Sequence, residues 1–269
     1  MRQAAATLES FYLTPLGRAA AMRLRLRLSA LWGTCEGQSV LGVGYADPLL
    51  PLWTQSAQAC ISLQPDTAGA IGFGSERGNA SALSLEDRFP FPEGSFDRIL
   101  LLHALEEAEN PRAVLREAWR VLAPEGRIVI ATANRRSLWS LAENKAFGQG
   151  RPWTRRQLIR FANDSLFQVT ASATAVHMPP VNLSFITAAA GTWEQVGEAI
   201  FPALGGVVLV EAVKRLYAEP GGSAGAPVTQ AVRTGVRSSA VPRKQAARQQ
   251  SKIDQETGFN AKRNQDTSK

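Results

Sequence analysis

Two cysteines and two histidines are all that 269 residues provide for thiol or imidazole chemistry. Cys35 and Cys60 are too few for a disulfide framework or a cysteine-rich zinc centre. His103 and His177 stand far apart in sequence, so no metal site is expected of them. Long apolar runs are lacking too. The longest, Ala199 to Val210 between Glu198 and Glu211, is too short to cross a bilayer, and Glu9 interrupts Met1 to Ser10 before a secretory apolar region forms. These absences lead us to expect a soluble, cytoplasmic protein with no membrane span. Tyrosine occurs only at 12, 45 and 217, never four residues before a lysine, which removes the Tyr-x-x-x-Lys pair of many nicotinamide enzymes. No internal repeat is visible.

What is present begins with an uneven charge. The net charge is +7, yet residues 220–269 hold nine Lys/Arg against three Asp/Glu, leaving only +1 for the rest. That tail is rich in Gly, Ser, Pro, Gln, Arg and Lys, with Phe259 as its sole aromatic. Such a composition cannot offset ordering entropy with apolar burial, so we expect a disordered tail. It would serve as a solubilising extension or a weak contact for nucleic acid or acidic surfaces. With 45% hydrophobic residues the body can bury a core.

Along the body, periodicity alternates. Residues 8–32 include strict Arg/Leu alternation from Arg23 to Leu28, a strand period, but Ala19 to Met22 and the helix propensity of Leu and Arg favour a helix. Its arginines would form a solvated face or a docking surface for an acidic group. Beyond Gly37, strands are expected at Val40–Val43, Ala59–Leu63, Ser81–Leu85, Phe96–Leu105, Arg127–Ala133, Phe167–Val176 and Gly205–Tyr217. Helices are expected at Pro48–Ala57, after the Asn110-Pro111 cap, and near Ala188–Ile200. Strands alternating with helices imply a mostly parallel sheet covered on both faces. The expected organisation is a helical lead-in over 1–33, an α/β domain over 34–219 and the tail over 220–269.

The stretch "QSVLGVGYADPLL", Gln38 to Leu50, runs from an apolar strand into Gly42-Val43-Gly44, which is either a turn that lets a ligand approach backbone or a plain tight turn at the strand end. Downstream, "FPFPEGSFDRILLLHALEEAENPRAVLREAWRVLAPEGRIVIATAN", Phe89 to Asn134, carries Phe96-Asp97 into one strand and the Val121-to-Ile130 turn into the next. Over about residues 30–217 this order resembles the class I S-adenosylmethionine (SAM) dependent methyltransferases, especially the type-11 group. The resemblance implies a doubly wound, Rossmann-like, mostly parallel seven-stranded α/β sheet, SAM as cofactor and a small-molecule acceptor.

It also implies where the cofactor sits. Gly42 stands where the family ends its first strand in a carboxylate, Gly44 is the retained glycine, and Ala46 and Pro48 replace the later two. Gln64 or Ser62, with Asp66 slightly beyond, occupies the place of the ribose-binding acid. Leu85 falls at the adenine acid, beside Glu86 and Asp87. Cofactor-binding candidates are therefore Gly42, Gly44, Tyr45, Ala46, Gln64, Glu86 and Asp87. A neutral Gln64 still hydrogen-bonds ribose hydroxyls, more weakly than a charge would. His103, at the carboxyl end of its strand, is either a general base or a satisfied structural histidine.

Methyl transfer asks mainly for orientation, since the sulfonium already activates the methyl group. Two other readings compete. A nicotinamide oxidoreductase would use Gly42 to Asp47 as a near G-x-G-x-x-G, but Asp47 would face a pyrophosphate. A catalytically degenerate scaffold would bind a partner, for instance through Asn134 to Leu158, whose arginines and aromatics we expect at the mouth of the acceptor site, as a partner surface or as a solvated loop.

Overall fold

The computed structural model of the chain describes residues 3–69, 72–75, 78–142, 145–181 and 187–216. The tail expectation therefore lies outside the described residues. The apolar runs assemble into a seven-stranded sheet from β1 (Ser39–Gly44), β2 (Ala59–Pro65), β3 (Ser81–Ser84), β4 (Phe96–Leu102), β5 (Leu122–Ala133), β6 (Phe167–Ala175) and β7 (Val207–Lys214). Their spatial order is β3-β2-β1-β4-β5-β7-β6. Neighbours pair in parallel except β7, which is antiparallel to both β5 and β6. Ile99 to Leu102 of β4 and Ile128 to Ala131 of β5 are all buried, as continuous apolar strands covered on both faces must be. Two apolar clusters, one on each face, form the core.

Helix α1 (Ala5–Leu13) and helix α2 (Pro15–Trp32) meet at Thr14. Thr14 is extended, its hydroxyl accepts the Gly17 N–H, and Pro15 fills the first position of α2, where a missing N–H does no harm. The Arg/Leu run is thus helical. Its arginines are not a plain solvated face. Arg27 is buried and paired with Glu198, with Glu194 at 3.9 Å, and Arg25 Nε donates to the Pro48 carbonyl at 2.8 Å. The acidic group that Arg27 meets is the chain's own.

Helix α3 (Pro111–Val121) has the expected Asn110 cap, whose side chain accepts the Ala113 N–H at 3.2 Å. Two expectations are corrected. The helix expected at Pro48–Ala57 is a single 3-10 turn at Leu50–Leu52, because Pro51 lacks an N–H and its ring clashes with the carbonyl four residues back. The strand expected to reach Leu105 ends at Leu102, since His103 turns to φ 52°. One helix was not expected: α4 (Arg155–Asp164), closed by a capping box between Thr154 and Gln157. Helix α5 (Ala190–Ile200) follows β6.

The candidate active site under the first helix

Strands β1, β2 and β4 deliver their carboxyl ends to one crevice, where open α/β sheets receive ligands. Gly44 closes β1 at φ 89°. A Cβ there would overlap the Leu102 carbonyl oxygen and lie 3.0 and 3.1 Å from Ala104 Cβ and N. The close approach that requires this glycine is thus to the backbone leaving β4, and the Tyr45 N–H donates to the same Leu102 oxygen at 2.8 Å. Gly42 faces inward: its Cβ would stand 2.7 Å from Ala46 Cβ and 2.9 Å from Leu50 Cδ1. Gly42 and buried Ala46 therefore shape the loop without lining the crevice.

Asp47 turns back across the loop onto the end of β2. Its carboxylate accepts the Ser62 hydroxyl and, at 2.7 Å, the Gln64 Nε2–H. Burial raises its pKa to about 6, outweighing the lowering by those two hydrogen bonds. The loop thus supplies a carboxylate beside the neutral Gln64, which is itself buried. Of the acidic pair beyond β3, Glu86 lies in the wall of an apolar recess with Leu63, Phe89 and Val114, and accepts the Glu109 N–H at 3.3 Å. Asp87 is exposed and lies outside that recess.

His103 is buried beneath α1. Its Nε2 stands 2.8 Å from the Tyr12 hydroxyl and its Nδ1 3.6 Å from Glu106 Oε1. Neither Nδ1 nor either Glu106 oxygen has a hydrogen-bond partner among the described residues. Burial, then the Glu106 charge, holds Tyr12 as a phenol well above the usual range. The Tyr12 ring stacks on Tyr45 at 5.9 Å, and the His103 ring lies 4.7 Å from Phe147.

Helix α1 is the roof. Ala5 and Leu8 close a second recess over Gly44, Tyr45, Gln64 and His103. Gln3 fastens its start, donating from N and Nε2 to the Glu107 carboxylate at 3.0 and 3.1 Å and from Nε2 to the Ala146 carbonyl at 3.1 Å. The free space left in each recess is about 10 Å³, whereas small-molecule sites span roughly 300–1,000 Å³. The crevice has the polar groups of a ligand site; α1 fills its part over Gly44 and His103, while the recess beside Glu86 is closed by Leu63, Phe89 and Val114.

The structure brings together Gly44, Tyr45, Gln64, Glu86 and His103, and leaves Gly42, Ala46 and Asp87 outside the crevice. Sequence reasoning missed Asp47, Tyr12 and Glu106 as members. Asp47 carried a signal, being the one carboxylate inside the glycine loop. In the Asn134–Leu158 segment the aromatics turn inward: Trp139 and Phe147 are buried, and Trp139 Nε1 donates to the Met178 carbonyl at 2.8 Å. Among the described residues no group of three or more His, Cys, Asp or Glu could hold a metal ion, and no helix is long and apolar enough to cross a membrane.

Residues 40–130 match a family model described as a methyltransferase domain. An uncharacterized protein of Mycobacterium tuberculosis is 29% identical over 118 residues, 41% of this chain and 41% of that protein; a Mycobacterium bovis protein matches equally. The chain thus spans about two fifths of the length of these curated relatives. Among solved structures, a SAM-dependent methyltransferase of Thermotoga maritima superposes with a TM-score of 0.53 at 17% identity, covering 77% of this chain and 94% of that one. A chain from the complex of the Haloferax volcanii Trm112 methyltransferase activator with a methyltransferase gives 0.52 at 17% identity, covering 74% and 94%. At such identities the likeness establishes the fold, and the sheet is that of the class I methyltransferases.

Proposed function

From a class I fold whose residues 40–130 match the methyltransferase domain, we propose that the chain is a SAM-dependent methyltransferase of a small molecule, with SAM received between the carboxyl ends of β1, β2 and β4. The observation that carries this reading is the convergence of Gln64 and Glu86, at the ends of neighbouring strands, beside the left-handed Gly44 turn. We assign Gln64, with Asp47 behind it, to the ribose hydroxyls and Glu86 to the adenine edge.

The donor set suits SAM; the space does not. With α1 in place, two recesses of about 10 Å³ cannot hold a ligand of that size. Binding on this reading requires α1 to leave the crevice about the Thr14-Pro15 junction, which removes Tyr12 from His103. Only then is the imidazole Nε2 free to serve as a base. The same filled crevice favours a second reading, a methyltransferase-like scaffold that keeps the fold and binds a partner. Nucleic-acid contact through the basic tail stays a proposal tested separately by salt.

Calorimetric titration of the full chain with SAM and S-adenosylhomocysteine distinguishes the two. A neutral ribose acceptor in place of a charged one forgoes roughly 1.5–3 kcal/mol, a dissociation constant about 10- to 150-fold weaker. We therefore expect binding in the tens to hundreds of micromolar, weakened further by Gln64→Ala. No heat with either ligand at about millimolar concentration would establish the scaffold.

A further inference from the structure

A second concavity opens at the carboxyl edge of the sheet, over β5, β7 and β6. It is a groove of about 900 Å³, within the range of small-molecule sites. Its floor carries Asn134, just beyond β5, Thr174 near the end of β6, and Pro202 and Ala203 ahead of β7. One wall is α4.

Four guanidinium groups line this groove, from Arg136, Arg155, Arg156 and Arg160, against a single carboxylate, Asp164. That carboxylate is already engaged, 3.9 Å from Arg160 Nε. Arg136, Arg155 and Arg156 have no carboxylate within ion-pair distance among the described residues. Elsewhere among the described residues three arginines have found acids: Arg27 meets Glu198, Arg120 meets Glu117 at 2.8 Å and Arg127 meets Glu211 at 3.2 Å. Arg155 and Arg156 also open α4, whose first turn contains no acid to balance them. Like charges concentrated around one concavity raise its potential and draw an anion to it.

The floor is fixed independently of any ligand. The Asn134 side chain donates to the Ala203 and Gly205 carbonyls at 2.9 and 2.7 Å and accepts the Arg136 N–H at 3.1 Å. The Thr174 hydroxyl donates to the Pro202 carbonyl. These bonds tie the loop after β5 to the segment before β7, so Arg136 projects from a rigid base while Arg155 and Arg156 project from a capped helix. Planar guanidinium forks on two such supports suit a multiply charged phosphate or carboxylate, which accepts bidentate hydrogen bonds.

We propose that this groove binds a small, multiply charged anion, a phosphate- or carboxylate-bearing molecule, through Arg136, Arg155 and Arg156. Its assignment as the anionic part of the methyl acceptor rests on the methyltransferase reading; the anion site itself does not. Phe147 packs against His103 in the crevice and against Trp139, which in turn lies against Gly206, three residues beyond the Ala203 of the groove floor. The groove is thus a distinct subsite that holds the acceptor by its charged end.

The test is titration of the full chain with inorganic pyrophosphate and, separately, with citrate, followed by amide chemical shifts and calorimetry in low salt and without SAM. One-to-one binding is expected, with shifts at Asn134, Thr154 to Gln157 and Thr174. Arg136→Ala should weaken it about tenfold, the loss of one charge-assisted contact, and the pair Arg155→Ala with Arg156→Ala about a hundredfold, the loss of two. Arg88→Ala, exposed beyond β3, should leave it unchanged. Preference for pyrophosphate or citrate identifies the anion as phosphate or carboxylate. No saturable binding at millimolar probe, or equal affinity in the groove variants, would overturn the proposal. So would tighter binding of a single-stranded oligonucleotide that Arg112→Ala with Arg116→Ala weakens as much as the groove variants do, which would indicate an extended nucleic-acid face. Because SAM is absent, failure here leaves the methyltransferase reading standing, and failure to bind SAM leaves the anion site standing.

Discussion

Replacing Gly44 by alanine should unfold the sheet before it disturbs any ligand. Gly44 sits at φ 89°, where an L side chain is strained by about 1–2 kcal/mol. The added Cβ overlaps the Leu102 carbonyl oxygen, a backbone atom of the adjoining central strand that no rotamer change can move aside. Relief requires β1 and β4 to part at their carboxyl ends, where Gly44 pairs with Leu102. That separation weakens the Tyr45 N–H bond to Leu102, worth about 1 kcal/mol, and loosens packing on either side by about another 1–3 kcal/mol. The total, about 3–6 kcal/mol, is a large share of the roughly 5–15 kcal/mol that stabilises a typical domain. Urea unfolding followed by tryptophan fluorescence measures it. Gly37→Ala is the control, since Gly37 has φ 69° but nothing within 4 Å of its built Cβ; only the conformational part, about 1 kcal/mol, is expected there. Trimming Ala104 to glycine should not rescue Gly44→Ala, because the main obstacle is backbone. If Gly44→Ala stays within 1 kcal/mol of wild type, the close approach has been misassigned and the turn is free to face a ligand.

Asp47 makes stability depend on pH. Its folded pKa of about 6 lies above the unfolded value near 3.9, so its contribution is full below about pH 4 and lost as pH rises through 6. Asp47→Asn should flatten that slope and raise stability above pH 7 by up to about 3 kcal/mol, read from chemical melts at pH 4, 6 and 8. If α1 must leave for SAM to enter, Gln3→Ala, which unfastens the helix from Glu107, should strengthen SAM binding about fivefold; unchanged or weaker affinity would speak against displacement. Removal of residues 220–269 should leave the melting temperature unchanged, because that sequence has no periodic apolar face; a large fall would show that it packs. Any nucleic-acid binding through it should weaken steeply with salt.

The sheet was legible because its strands are local and continuous: Ile99 to Leu102 and Ile128 to Ala131 cannot be buried on both sides in any other class of fold with helices between them. Helix α3 was legible through Asn110 and Pro111. Helix α4 could have been read from the Thr154-Gln157 capping box, but the surrounding arginines and aromatics drew that segment toward a loop. Pro51 showed why the helix after β1 fails, once its position inside the element is weighed. The site was harder. A glycine loop indicates that backbone comes close to something, and only tertiary pairing reveals that the something is Leu102. Likewise, nothing local to Tyr12 says that it reaches His103, 91 residues away, because the contact depends on where α1 lies on the sheet. The Arg136, Arg155 and Arg156 groove needs β5, β6 and β7 in register before its charges converge, and so lay beyond any local pattern.

Hydrogen exchange on the full chain, with and without saturating SAM, most directly tests the claim that SAM enters the crevice by displacing α1. New protection is expected at Gly44 to Asp47, Gln64 to Asp66 and Ser84 to Asp87, together with faster exchange across Ala5 to Leu13. Protection of α1 together with those strand ends would show a ligand that binds without moving the roof. No change at any of them, under conditions where SAM is present at millimolar concentration, would contradict the methyltransferase reading itself.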